Sequence, residues 1–431
     1  MKDTEFIESE LSRCNKCGYC MQSCPVYRVV RREVEVARGR NQTLRAVMEG
    51  RSDLTREMLQ PFFDCLLCGA CSVDCFGTVQ TKELMVRARE AYHAEYGQPA
   101  VQRYIFRNLL PNPERLTHVV RLAAVGKQSG LSSAARRLGL LRWLSPSLDA
   151  ADKLLPAMPR AFLRDRLAKL GFVSADRADI NLLRLEPERA AGPKVLYFIG
   201  CGTNFQLPHV GEAAVKMLSL AGCQVTIAPN KCCGLPPWSY GDIEAAKQLA
   251  QQNLDLLSNL DFDLLVSECG SCSGFLKEYA KLLPESTQVK RFVAQTRDLI
   301  ELLAQLTLPK PGSTGTTVTY HDPCHLGRQQ AITEEPRKLL VDSGGFELVE
   351  MAEANWCCGG AGSYNLSHPE MAHEILARKL GRIADTGAEL VTTACPACLI
   401  QIASGVRSHG WQRPVRHLVE LLAERIPNPG G

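Results

Sequence analysis

The run Val195-Leu196-Tyr197-Phe198-Ile199 ends two residues before Cys201, and its counterpart Thr317-Val318-Thr319-Tyr320 ends four residues before Cys324. Short apolar or β-branched runs of this kind read as buried strands. The segments downstream of the two runs are duplicated as well. In the first copy a helix candidate leads to strand candidate Gln224 to Ala228 and then to Cys232-Cys233-Gly234. Helix candidate Ile243 to Leu257 leads to strand candidate Asp263 to Val266 and to Cys269-Gly-Ser-Cys272. In the second copy Phe346 to Val349 precedes Cys357-Cys358-Gly359, and Glu389 to Thr393 precedes Cys395-Pro-Ala-Cys398, with helical spacing over His368 to Asp385 between them. Alternating strands and helices predict parallel α/β units, whose ligands collect beyond the carboxyl ends of the strands. Every cysteine group falls at such an end. The helix N-termini next to these groups would favour an anionic, thiolate-bound group there.

Towards the N-terminus the pattern changes to two quartets. The first is Cys14-Asn-Lys-Cys17-Gly-Tyr-Cys20-Met-Gln-Ser-Cys24-Pro25, with the C-x2-C-x2-C-x3-C-P spacing of bacterial ferredoxins. The second is Cys65-Leu-Leu-Cys68-Gly-Ala-Cys71-Ser-Val-Asp-Cys75, with Phe76 in place of the proline. In that spacing three cysteines grip one 4Fe–4S cubane and the fourth serves the other cluster. The expected sets are therefore Cys14, Cys17, Cys20 and Cys75 on one cubane, and Cys65, Cys68, Cys71 and Cys24 on the other. Zinc knuckles use C-x2-C pairs closed by a distant pair, so four cysteines in eleven residues do not suit them. Leu44, Val47 and Met48, and later Leu84, Met85 and Ala88, give the joining and following stretches helical spacing.

With 431 residues, 45% of them hydrophobic, the chain is long enough for two or more domains. A formal charge of +4 offers no clustered basic face for nucleic acid. Most of the nineteen cysteines stand in tight, Gly-flanked groups, which favours metal ligation over a disulfide framework. The opening MKDTEFIESELSRC lacks the apolar region of a signal peptide, so a reducing, cytoplasmic setting is expected. No run of 18 apolar residues is free of charge, so no membrane span is expected. The expected division is 1–100, a helical linker region over 101–193, and 194–431, with repeats at about 194–300 and 315–425. The linker region is rich in Leu, Ala and Arg and is broken by Pro111, Pro113, Pro146, Pro156 and Pro159, which predicts short helices and turns. Its basic excess between Arg115 and Lys169 fits solvated helix faces wrapping the neighbouring domains, or a docking surface for an acidic partner or anionic membrane.

Each C-terminal copy supplies five cysteines: Cys201, Cys232, Cys233, Cys269 and Cys272, then Cys324, Cys357, Cys358, Cys395 and Cys398. Five exceed the needs of a cubane, although one sulfur of an adjacent pair could bridge two irons in an opened cluster. Spacing alone supports a redox metal site and nothing finer. The paired C…CCG…CxxC pattern resembles the cysteine-rich CCG domain of heterodisulfide reductase subunits and of the iron–sulfur subunits of glycolate oxidase, lactate-utilisation and anaerobic glycerol-3-phosphate dehydrogenase systems. Ala37-Arg38-Gly39-Arg40, followed by Leu44-Arg-Ala-Val-Met-Glu-Gly50, is similar to the inter-quartet segment of the glycolate oxidase type. The resemblance implies an α/β chain with an N-terminal α-helical two-cluster ferredoxin domain and a C-terminal duplicated parallel α/β CCG domain. It also implies two noncubane 4Fe–4S clusters, one on each five-cysteine motif, beside the two cubanes. Typical glycolate oxidase subunits often have a degraded CxxC in one repeat. Here both are intact, a departure that favours a heterodisulfide-reductase-like cluster content.

The chain has no GxGxxG after a predicted strand and no other flavin or nicotinamide site, so a hydride-handling partner is required. The leading expectation is an electron-transfer subunit that accepts electrons from a flavoprotein dehydrogenase oxidising a glycolate- or lactate-type 2-hydroxy acid, or from an electron-transfer flavoprotein. It would pass them towards a quinone or another acceptor, and a membrane quinone-reducing partner would hold it on the inner face of the membrane. The alternative is a reductase that cleaves a disulfide at the noncubane clusters. A cluster-bearing scaffold or redox sensor would not need ten further ligands and a relay. His321 and His325, flanking Cys324, read as structural hydrogen-bonding residues or proton shuttles. Arg328 reads as a surface residue or a carboxylate clamp, and Cys223 as a small buried hydrophobe. Gly202, Gly234, Gly270, Gly359, Gly360 and Gly362 read as positions where backbone N–H groups approach sulfur closely.

Overall fold

The computed structural model describes residues 3–144, 149, 152–154, 157–175, 182–187 and 190–426. The expected breaks at Pro146 and Pro156, with residues 1–2 and 427–431 of the outer segments, lie outside the described residues. Two sheets form the C-terminal half. The first contains β1 (Val173–Ala175), β2 (Leu182–Leu185), β3 (Lys194–Tyr197), β4 (Gln224–Ile227), β5 (Leu264–Ser267) and β6 (Thr296–Asp298) in the order β1-β2-β4-β3-β5-β6. The second contains β7 (Thr317–His321), β8 (Glu347–Leu348), β9 (Leu390–Thr393) and β10 (Val415–His417) in the order β10-β9-β7-β8. In each repeat the chain pairs its second strand on one side of the first, then crosses to pair its third on the other side, all in parallel. That reversal beside the first strand is where parallel α/β sheets open a crevice for ligands.

Three of the four parallel strands in each repeat match the sequence expectation within about two residues. The fourth, β6 or β10, is a strand that the periodicity does not reveal, because three residues are too few to show alternation. Both run straight into capped helices. Asp298 accepts from the Ile300 N–H at 2.9 Å and opens Leu299–Gln305, and His417 accepts from the Val419 N–H at 3.3 Å and opens Leu418–Arg425. Glu301 and Glu420 reach back to the cap N–H groups, so the same capping box occurs twice. The expectation of helices and turns alone over 101–193 is corrected by β1 and β2, an antiparallel pair that extends the first sheet beyond β4.

The helix Ile243–Leu257 buries Ile243, Ala246, Leu249, Ala250, Asn253, Leu254 and Leu257, a stripe at three- and four-residue spacing, and Asp242 caps it. Its partner in the second repeat, Pro369–Asp385, starts on proline and buries Ala372, Ile375, Leu376, Lys379, Leu380 and Ile383. Helices Ala37–Met48 and Thr81–Tyr96 carry the N-terminal core, burying Leu44, Leu84, Met85 and Ala88. A small apolar cluster joins this core to the second repeat through Val26, Val36, Leu66, Tyr364, Ala372 and Ile375. In the linker region Arg121 pairs with Asp165, Arg166 with Glu212, and Lys127 and Arg136 with Asp152, so much of its basic excess is used within the chain. No helix among the described residues is long and apolar enough to cross a membrane.

Candidate metal centres

The two quartets use the same turn. Lys16 (φ 57°) and Gly18 (φ 83°) flank Cys17 in left-handed conformations, and Leu67 (φ 54°) and Gly69 (φ 73°) flank Cys68 likewise. A leucine in that region carries backbone strain, which persists only where the surroundings impose it. The turn aims the cysteines of each loop at one point. Cys14, Cys17, Cys20 and Cys75 line one cavity, and Cys24, Cys65 and Cys68 line a second, with Cys71 on the border of both. Phe76, where proline is usual, lines the first cavity together with Tyr19, their ring centroids 5.0 Å apart.

Two buried arginines that the sequence did not single out hold these loops. Arg40 is 2% exposed, donates to the Pro61 carbonyl at 2.5 Å and meets Glu35 at 3.5 Å, beside the sulfurs of Cys65 and Cys24. Its place is fixed by Gly39, where a Cβ would lie 2.1 Å from the Glu33 carbonyl oxygen. Arg89 donates to the carbonyls of Phe62 and Cys65, and also to that of Ser239 in the first repeat. The Ala37-Arg38-Gly39-Arg40 stretch was a sequence signal for the first; nothing local marks Arg89.

Six of the ten cysteines of the repeats stand at or just inside helix starts, Cys232-Cys233 precede the helix Leu235–Ser239, and Cys357-Cys358 lie in a loop. Cys201 and Cys324 are the first residues of Cys201–Phe205 and Cys324–Gln330, and Cys269 and Cys395 are the N-caps of Gly270–Lys277 and Pro396–Ser408. Gly234 (φ 97°) and Gly359 (φ 85°) follow the adjacent pairs, and a Cβ on Gly359 would lie 2.6 Å from the Ala372 carbonyl oxygen. The Gly359 and Gly360 N–H groups donate to Cys357 Sγ at 3.5 Å and Cys358 Sγ at 3.4 Å. The two sets are not separate. Neighbouring sulfurs interact in series, Cys201 with Cys232, Cys232 with Cys233, Cys233 with Cys272 and Cys272 with Cys269. Cys269 then meets Cys395 of the other repeat, and the series continues through Cys398, Cys358 (3.4 Å from Cys398) and Cys357. Cys357 meets Cys324 and, across the interface, Cys68 of the second quartet. The spatial order is therefore quartets, second repeat, first repeat, which sequence order does not foretell.

Arg328 stands at the junction, not on a free surface. It donates to the carbonyls of Cys68 at 3.4 Å and Asn355 at 2.5 Å, tying the quartet loop to the second repeat. His325 shares a hydrogen bond with Ser271 Oγ at 2.9 Å, and that hydroxyl lies 3.6 Å from Cys395 Sγ. Burial holds the imidazole of His325 down at about 4. His321 is 1% exposed and its ring faces the sulfurs of Cys358 and Cys398, helping to hold the Cys358 thiol low. A cleft beside these groups is lined by Leu66, Trp238, Ser271, Cys324, Cys358 and Cys395. Cys223 lies apart in the core, as expected, with its thiol pushed up to about 11 by burial.

The donor set fits iron–sulfur groups. Burial pushes the Cys71 thiol well up, and the neighbouring thiolates of Cys65 and Cys68 push it further. The Cys24 thiol is raised to about 11 by burial against the pull of Arg40. Cys68 goes the other way, to about 6, because it accepts from Cys357, with Arg328 adding to the effect. Cys358 and Cys395 are likewise held low by accepting from neighbouring thiols. So many buried sulfurs can all ionise only around a cationic core, which iron supplies.

Comparison with known proteins agrees with this geometry. Residues 10–79 match the model of the 4Fe-4S dicluster domain, 97–155 that of the glycolate oxidase iron-sulfur subunit linker region, and 195–277 and 318–403 that of the cysteine-rich CCG domain. The chain is 33% identical over 432 residues to the probable glycolate oxidase iron-sulfur subunit of Bacillus subtilis, covering 97% of this chain and 94% of that protein. It is 25% identical over 428 residues to the glycolate oxidase iron-sulfur subunit of Escherichia coli, covering 97% and 95%. Lactate utilization protein A of an Exiguobacterium species is 28% identical over 241 residues, 54% of this chain and 98% of that one. With quartets, linker and both cysteine-rich repeats matched along nearly its whole length, the chain belongs to the family of glycolate oxidase iron–sulfur subunits.

Proposed function

We propose that the chain is the iron–sulfur electron-transfer subunit of a flavin-dependent dehydrogenase of 2-hydroxy acids of the glycolate or lactate type. The observation that carries this is the sulfur series from Cys68 to Cys201, which joins the quartets to both repeats without a gap. In the ligand sets we assign, Cys14, Cys17, Cys20 and Cys75 hold one cubane and Cys65, Cys68, Cys71 and Cys24 the other. Each five-cysteine set holds one noncubane 4Fe–4S cluster. When bound, these clusters supply one-electron redox chemistry. The chain's own residues fix the sulfurs, exclude water from them and set their surroundings. Cys17 and Cys201, at opposite ends of the order, are the ligand cysteines that reach the surface. The division at about residues 100 and 193 separates the quartets, the linker and the duplicated domain.

The partner in this reading is a flavoprotein subunit, supported by the whole-length likeness to proteins named glycolate oxidase iron-sulfur subunits and by the lack of a GxGxxG after a predicted strand. The linker region supports this with Leu122, Leu131, Leu138 and Trp143, all more than 60% exposed. Large apolar side chains left in water at this density mark an interaction surface. Through that partner the complex would sit peripherally on the inner face of a membrane, in the cytoplasm, and hand electrons towards a quinone.

A second reading, disulfide reduction, is favoured by one observation: both CxxC pairs are intact, and Cys395 and Cys398 of the second border the cleft that holds the Ser271–His325 pair. The test is the anaerobically purified chain, mixed with its flavoprotein partner and a 2-hydroxy acid. The proposal expects about sixteen iron atoms per chain and cluster reduction that needs the flavoprotein. Rapid disulfide reduction from a simple electron donor, without the flavoprotein, would favour the second reading and remove the first.

A further inference from the structure

The two five-cysteine sets superpose by sequence but not by charge. Gly234 faces the Ala246 carbonyl and Gly359 faces the Ala372 carbonyl, so the two long helices align with Asn253 opposite Lys379. Three residues before the first cysteine, Phe198 in the first repeat stands where His321 stands in the second; one residue before the fourth, Glu268 stands where Ala394 stands.

Around the second set these exchanges place basic groups. Lys379 is fully buried, and its ammonium donates to the Glu353 carbonyl at 2.6 Å and the Ala354 carbonyl at 3.0 Å. It interacts electrostatically with Cys358, Cys357 and Cys398. The one acidic group it also senses, Asp322, is held by a two-pronged ion pair with Arg337, both contacts 3.0 Å. A ring nitrogen of His321 and the sulfurs of Cys358 and Cys398 lie within 4.8 Å of one another. Around the first set the matching groups are neutral or acidic. Asn253 donates to the Cys232 carbonyl at 2.9 Å and Tyr279 to the Cys233 carbonyl at 2.8 Å. Lys231 turns away to Gln252. The buried Glu268 carboxyl accepts from Tyr197 at 2.7 Å and from Thr203, next to Cys269, and it also faces Cys395 across the seam between the repeats.

We propose that Lys379 and His321 make the second repeat the higher-potential member of the pair, so that it takes up an electron before the first repeat does. The fixed positive charge of Lys379 stabilises the added negative charge of the reduced form in a low-dielectric site, the His321 ring placed against two ligand sulfurs polarises them in the same sense, and a nearby carboxyl opposes it. Lys379 and His321 are thus positioning residues for the relay: they set where an electron rests and need not touch substrate. The inference rests on both sets holding redox clusters, as proposed above.

The test is an anaerobic redox titration of the full chain, with dithionite as one-electron source through mediators, followed by electron paramagnetic resonance. Signals are assigned by their loss in Cys358→Ser and in Cys233→Ser. Four assigned clusters with the Cys358-dependent one reduced first is the expected result in the unaltered protein, and the reverse order overturns the inference without any variant at the charged positions. Lys379→Met and His321→Phe, the latter restoring the first repeat's residue, should each lower the midpoint of the Cys358-dependent signal and leave the Cys233-dependent one in place. Lys379→Arg should restore most of that shift. Equal shifts in both signals, or none, overturn the inference, whereas absence of either assigned signal from the unaltered protein overturns the proposed function on which it rests.

Discussion

The quartets and the repeats gather cysteines by different means. In the quartets the sulfurs hang from turns with left-handed residues at Lys16, Gly18, Leu67 and Gly69, and the loops are pinned from behind by the buried arginines Arg40 and Arg89. In the repeats most of the sulfurs sit at helix starts beyond parallel strands, and tight backbone contacts at glycine replace the arginines. Local spacing therefore specifies a quartet almost completely, while a repeat needs four strands and three loops to converge. The regions should differ in how they fail.

The largest difference is expected for ligand loss. Cys17→Ser should cost about four irons and one cubane signal, and Cys233→Ser should change the first repeat's signal with the quartets untouched. Iron analysis with low-temperature spectroscopy on both variants checks this, and loss of all clusters in either would erase the distinction.

Glycine replacement should show the next contrast. Gly359→Ala combines a positive φ with a Cβ 2.6 Å from a carbonyl oxygen, whereas a Cβ on Gly69 would meet nothing within 4 Å. The Gly69 change should cost about 1–2 kcal/mol for left-handed backbone alone. At Gly359 backbone displacement adds to that, so the thermal midpoint for bleaching of visible absorbance should fall further.

The seam between the regions comes next. Arg328→Ala removes two donors to carbonyls across it, and charged hydrogen bonds contribute roughly 1.5–3 kcal/mol each when well formed. The expected outcome is faster proteolysis at the seam, with both repeats still folded. On the surface, Leu122→Glu or Trp143→Glu should weaken binding to the flavoprotein several-fold, measured by calorimetry, without altering iron content.

The smallest effect is one of pH. Arg378 and Arg382 hold the Glu353 carboxyl down to about 2, below its ordinary 4.5, in the loop that leads to Cys357. A carboxylate lowered by folding adds stability that is present above its unfolded value and is lost as pH falls through the folded one. Glu353→Gln should therefore lower the thermal midpoint at neutral pH and converge with the unaltered protein as the pH falls from about 4.5 towards 2.

Much of this was legible in sequence, for physical reasons. The quartets are local, so spacing alone marks all eight cysteines. The repeats show themselves because each strand, cysteine and helix occurs twice. The fourth strands are too short for periodicity, yet Thr296-Arg-Asp-Leu-Ile-Glu301 and Val415-Arg-His-Leu-Val-Glu420 carry the same capping box and could have been found by it. Arg89, Arg328, Lys379 and the Cys68–Cys357 contact are long-range. Nothing in the spacing of one segment says which segment it will meet.

The central claim is the spatial order of quartets, second repeat, first repeat, and magnetic coupling between reduced clusters tests it most directly. The part of the dipolar broadening of the second quartet's signal, assigned by Cys68→Ser, that comes from the repeats rather than from the neighbouring cubane should persist in Cys233→Ser and disappear in Cys358→Ser, because the Cys357 side of the second repeat is what meets Cys68. Broadening that survives Cys358→Ser and vanishes in Cys233→Ser would place the first repeat against the quartets and contradict the account.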